Sequence, residues 1–142
     1  MWWLRGRRGW LRVRILATPE SVPTVQALDV TAVVDPSPAL AEAGAALLGA
    51  AAVGPELPGG LDVAPAFDAQ AWARAAQAGS ARFGAMTLGL PMAGDGEATA
   101  TWRLTTERGG RAELRVALDR ETGALAEAAL RVGERAAPPE GW

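Results

Sequence analysis

Apolar and polar residues alternate over residues 10–17, where Leu11, Val13 and Ile15 are separated by Arg12 and Arg14. A period of two is the mark of a strand with one buried face. A turn at 18–23, containing Pro19-Glu20-Ser21, leads to a second strand near 24–34. Asp35-Pro36-Ser37-Pro38 then breaks the pattern. Ser37 can accept from the free N–H groups of a helix start, and Pro38 suits the first helical position. The helix expected from there spans 39–52, with Leu40, Leu47, Leu48 and intervening alanines as its packing face, and Gly54-Pro55 ends it. Residues 54–66 read as loop. A second helix is expected over 69–82, capped by Asp68, with Phe67 and Trp72 at the two staple positions and Gly84 as the stop.

The second half changes period. Met86, Leu88, Leu90 and Met92 alternate with smaller or polar residues. Gly94-Asp95-Gly96-Glu97 is a hairpin turn, since Asp-Gly supplies the backbone angles that two-residue turns need. In the next strand Ala100, Trp102 and Leu104 face one way, and Thr99, Thr101, Arg103 and Thr105 the other. Gly109-Gly110 closes a second hairpin. Leu114, Val116 and Leu118 form the apolar side of a third strand. After a turn at 119–123, Ala128, Leu130 and Val132 do the same in a fourth. Arg103 and Glu107 against Glu113 and Arg115 suit opposite-charge pairing across a solvated sheet surface. The tail 134–142, with Ala136-Ala137-Pro138-Pro139, is expected to be disordered.

Two stretches resemble each other. Leu11-Arg12-Val13-Arg14-Ile15-Leu16 and, after a turn, Val25-Gln26-Ala27-Leu28-Asp29-Val30 echo Leu114-Arg115-Val116-Ala117-Leu118-Asp119 and Glu127-Ala128-Ala129-Leu130-Arg131-Val132. The offset is about 102–103 residues, and such self-similarity bears on the architecture. The expected division is a ragged basic and aromatic stretch over 1–9, a hairpin over 10–34 that reads as the end of a preceding repeat, an α+β domain over 35–133, and the tail. Two unrelated hairpins in a narrow alphabet would give the same echo.

Composition narrows the chemistry. At 142 residues, 49 % apolar and 21 % charged, the chain can bury a core of its own. It has no Cys, His, Lys, Tyr or Asn, and all 14 basic residues are Arg. Disulfides, thiolate nucleophiles, Ser-His-Asp triads, Schiff bases and P-loop lysines are therefore excluded. Asp and Glu remain as acid–base groups, and a buried carboxylate with a raised pKa could serve as a base. Asp95 and Asp119 are the two weighed for that part, but both fall in turns, where aspartate is expected anyway.

Charge is uneven. Arg5, Arg7, Arg8, Arg12 and Arg14 precede the first acid, Glu20, and Trp2, Trp3 and Trp10 lie among them. Interleaved Arg and Trp suit a nucleic-acid or membrane-surface arm. They equally suit a strand with arginines on its wet face, and the acidic remainder of the chain favours that second reading. The expectation is no nucleic acid and no membrane as partners. No apolar run reaches the length of a membrane span, and no signal peptide is evident, so the expected location is cytoplasmic. Trp72, Phe83, Met86, Leu88 and Trp102 could line a small apolar ligand pocket or simply form the core. No cofactor, metal ligand or catalytic residue is expected.

The order helix, loop, longer helix and four-stranded meander is carried by 39–48, Trp72 to Phe83-Gly84, Thr101-Trp102-Arg103-Leu104, and Leu114 to Asp119 with Thr122-Gly123-Ala124-Leu125. It resembles small cystatin-like or NTF2-like domains, and is similar to accessory domains of bacterial serine hydrolases and α/β-hydrolases. The resemblance implies an α+β fold, two helices on a curved antiparallel sheet, and a non-catalytic accessory or protein-interaction function. It also implies two alternatives, a small apolar-ligand-binding domain and a carboxylate-dependent isomerase or hydrolase. Isomerases of that type use Tyr and a pocket Asp, which this chain lacks. A homodimer or an intramolecular partner domain is the expected cover for the apolar side of the N-terminal hairpin.

Overall fold

The computed structural model describes residues 2–132. Its elements run β1 (Trp2–Arg5), β2 (Gly9–Ala17), β3 (Val25–Val34), α1 (Pro38–Val53), α2 (Ala69–Phe83), β4 (Met86–Ala93), β5 (Thr99–Thr106), β6 (Ala112–Leu118) and β7 (Leu125–Val132). They form an α+β protein with two antiparallel sheets, β1-β2-β3 and β4-β5-β6-β7. The stretch 1–9, expected to be ragged, instead supplies β1, which pairs with β2 from Trp2 opposite Val13 to Arg5 opposite Trp10. The N-terminal hairpin is thus part of its own three-stranded sheet and does not extend the meander. The tail at 134–142 lies outside the described residues.

The helices start and stop where local chemistry requires. The Ser37 hydroxyl accepts from the Leu40 N–H at 3.3 Å, and the Asp68 carboxylate from the Ala71 N–H at 2.9 Å. Each satisfies one donor that the helix cannot pair internally. Gly84 ends α2 at φ 71°, a backbone state that glycine reaches without penalty.

Both helices cover one face of the four-stranded sheet. Leu40, Leu47 and Leu48 from α1 and Trp72, Ala76 and Phe83 from α2 meet Ala100, Trp102, Leu104, Leu114, Val116 and Leu125 in one cluster. The inward sides of β5 and β6 match the sequence alternation. In β4 the ladder slips between Leu88 and Pro91 and again before Ala93. Pro91 cannot donate to a ladder, and β4 is an edge strand, where a proline is tolerated. In β7 an irregularity opposite 117–118 brings Leu125 in against Leu118. Leu125 is fully buried and Val132 is exposed, which corrects the expected inward position of Val132. The loop before α2 also gains order: Val63 bridges Leu125 in parallel.

Gly79 shows how closely α2 lies on the sheet. A Cβ there would press on the Leu130 side chain and stand 3.2 Å from Met86 Cε. Gly79→Val is expected to cost about 1–3 kcal/mol by overpacking. A lower urea midpoint with an unchanged slope is the readout.

Candidate functional site: the uncovered face of the N-terminal sheet

Directly opposed residues in an antiparallel ladder share a face, and the register of the first sheet sorts its side chains into two sets. On one face Trp2, Val13 and Val30 stand in a row. Leu4, Leu11 and Ala32 form the next row, and Ile15 opposes Leu28. Val34, opposite Gly9, completes it. None of these side chains carries charge. A bulge between Leu16 and Ala17 places Val25, rather than Gln26, opposite Ala17, so the face stays apolar to its outer end.

Val34 lies against Gly96 of the β4–β5 hairpin, and the rest of this face is left open by the described chain. Trp2, Leu4, Leu28, Val30 and Val34 are 46–62 % exposed, and Leu11 and Ile15 are about 40 % exposed. The equivalent residues of the echoing hairpin are treated differently: Leu114 and Val116 have no exposure at all. The sequence echo is not a pairing echo, because Leu11 opposes Ala32 whereas Leu114 opposes Leu130. Both hairpins nevertheless put their Leu and Val on one side, and only the second has helices above it.

The opposite face holds the arginine–tryptophan cluster. Arg5 lies over the Trp10 ring at 5.2 Å, Arg12 over Trp3 at 6.0 Å, and Trp3 meets Trp10 edge-on. Both Arg5 guanidinium nitrogens also donate to the Asp35 carboxylate, at 2.6 and 2.7 Å. That fork holds the Asp35 carboxyl below the usual carboxylate range. Arg14 stands opposite Asp29. Arg5, Arg12 and Arg14 thus stand against Trp10, Trp3, Asp35 and Asp29 on one sheet face. Asp35 N–H donates to Arg8 O within this sheet, and Ser37 N–H donates to Gly96 O, which ties the chain after β3 to the β4–β5 hairpin.

The other sequence candidates fall elsewhere. Trp72, Phe83, Met86 and Trp102 are buried, Leu88 is half-buried, and all five converge in the main core. A Cβ on Gly44 would stand 3.3 Å from both Leu88 and Trp102, so helix and sheet are in close contact there. A surface groove of about 420 Å³ lies at the end of α1, lined by residues such as Val53, Pro55 and Leu57 and by none of those five.

Asp95 accepts from the N–H groups of Thr99, Ala98 and Glu97, and its second oxygen pairs with Arg120. These backbone donors first, and Arg120 after them, hold its carboxyl well below the usual range. Asp119 is lowered in the same way by the N–H groups of Thr122 and Glu121. A general base at neutral pH needs a raised pKa, and both move the other way. Glu107 accepts from the Ala85 N–H at 3.0 Å, and Arg103 faces Glu113 across the ladder. Among the described residues, no three acids or other metal-binding side chains gather at one point. No helix of the described chain is long and apolar enough to cross a membrane.

The lowered carboxylates give the stability a pH dependence of known sign. A group with a depressed folded pKa stabilises above its unfolded value, near 3.8, and that stabilisation is lost as pH falls through the folded value. Asp95→Ala should lower the melting temperature at pH 7 and flatten its decline below about pH 4. Thermal unfolding of both proteins between pH 7 and pH 2 measures this.

No protein-family model, curated protein or solved structure shows significant similarity to the chain.

Proposed function

We propose that the chain is a non-catalytic interaction domain. Its helix-covered sheet is the scaffold, and the uncovered face of β1-β2-β3 is the binding surface. The observation that carries this reading is a contiguous apolar sheet face that the described chain leaves open beyond Val34. Monomeric soluble proteins seldom expose a continuous patch of more than a few hundred Å², and larger ones mark interaction sites. The acids support it from the other side, since Asp95 and Asp119, the two carboxylates weighed as bases, are tied into turns that lower their pKa values.

The catalytic half of the reading is tested by assaying the purified protein against activated esters and a lactam. The expected result is no turnover above the uncatalysed rate. Turnover abolished by one Asp→Ala or Glu→Ala substitution would contradict it, because contamination cannot respond to such a change.

A further inference from the structure

From the area and chemistry of the uncovered face and the size of its sheet, we infer that its occupant is the same face of a second copy of this chain. The inference rests on the interaction-domain reading and names its partner.

The area is sufficient. The exposed fractions of the side chains on the face correspond to roughly 700 Å² per copy, so pressing two together removes on the order of 1,400 Å², inside the range of specific interfaces. Its shape is suitable. Three strands about 4.8 Å apart, with a central strand of 9 residues, make a plate of a size that packs sheet on sheet about 10 Å apart. Its chemistry is self-complementary. With no charge on the face, a two-fold pairing sets no like charges against each other, and Val13 on the central strand falls near the axis.

Competing occupants fit less well. A strand added along the free edge of β3 would satisfy backbone groups but leave the apolar face wet. A charged peptide would find no counter-charge on it. A lipid surface would favour arginines rimming the same side, whereas Arg5, Arg12 and Arg14 lie on the opposite face and Arg5 is held by Asp35.

Sedimentation equilibrium over a concentration series on the order of 1–500 µM decides this. The wild-type chain is expected to reach the mass of a dimer within the series. Leu28→Glu places a carboxylate in the interface twice per dimer, and should raise the dissociation constant about a hundredfold or more. Arg14→Gln, on the other face, should leave it within about threefold. A second measurement avoids dependence on the Glu variant. The chain has no cysteine, so Val13→Cys with a short bis-maleimide should yield a covalent dimer, and Arg103→Cys on the outer face of β5 should not.

A wild-type monomer throughout the series overturns the inference. A dimer that survives Leu28→Glu and does not cross-link through Val13→Cys also overturns it, since the copies would then meet elsewhere. A monomer that co-sediments with anionic vesicles through this face would assign the occupant to lipid instead. Each of these leaves the interaction-domain reading standing. That reading fails by a different observation, an unfolded body when the face is charged.

Discussion

Trp102→Ala is expected to cost about 3–5 kcal/mol. Trp102 is 3 % exposed in β5, between the edge strand β4 and β6, and directly opposite Leu114. Its ring reaches α1 at Gly44, where the absent side chain makes room for it. Removing the indole leaves a cavity walled by Leu88, Leu114 and the helix backbone, which neither layer can close without moving the other. Domains of this size are stable by only about 5–15 kcal/mol, so the variant should lose much of its cooperative transition. Urea unfolding followed by far-ultraviolet circular dichroism measures this. A midpoint close to wild type would place Trp102 outside the core. Trp102→Phe should recover a substantial part of the loss, because a ring still fills the space below Gly44.

Gly110→Val should cost about 2–4 kcal/mol through two separate effects. Gly110 closes the β5–β6 hairpin at φ +107°, where a β-branched residue is strained in any surroundings. A Cβ there would also stand 2.7 Å from the Phe83 ring, which is buried at the end of α2. Gly109 separates the terms. It has φ +75°, but nothing lies within 4 Å of where a Cβ would stand. Gly109→Val should therefore lose only the backbone part, about 1–2 kcal/mol. Equal losses at the two positions would mean that the Phe83 contact contributes nothing.

Both helices were legible in the sequence because their ends carry chemistry. Ser37-Pro38, Asp68, Gly54 and Gly84 stand where free N–H and C=O groups need partners, and the structure uses each of them. The meander was legible from Asp95-Gly96, Gly109-Gly110 and a clean alternation in β5 and β6. Strand β1 was not. Four residues, Trp2-Trp3-Leu4-Arg5, carry no alternation, and only the register with β2 reveals that Trp2 and Leu4 share a side. The slips around Pro91 and before Leu118 were hidden for a related reason, since one extra residue changes which side chains face inward without changing composition.

The candidate site was half legible. Alternation at Leu11, Val13 and Ile15 announces an apolar side, but period alone does not say what covers it. In β6 the same pattern lies under two helices; in β2 it lies under nothing. Trp72, Phe83, Met86, Leu88 and Trp102 were read as pocket or core from their type and spacing, and the structure gathers them against α1 and α2. The arginines and tryptophans of the first strands could not be paired from sequence, because Arg5 finds Asp35 thirty positions away.

One apolar sheet face packs under the helices, and in the proposed function the other is kept for a partner. Leu28→Glu with Val30→Glu, compared with Leu114→Ala in the same thermal unfolding experiment at low micromolar concentration, tests this division most directly. Leu114→Ala should cost about 2–5 kcal/mol, while the double charge substitution should leave the helix-covered body within about 1 kcal/mol of wild type. A double variant as unstable as Leu114→Ala would contradict the account, because the N-terminal face would then be part of the folding core.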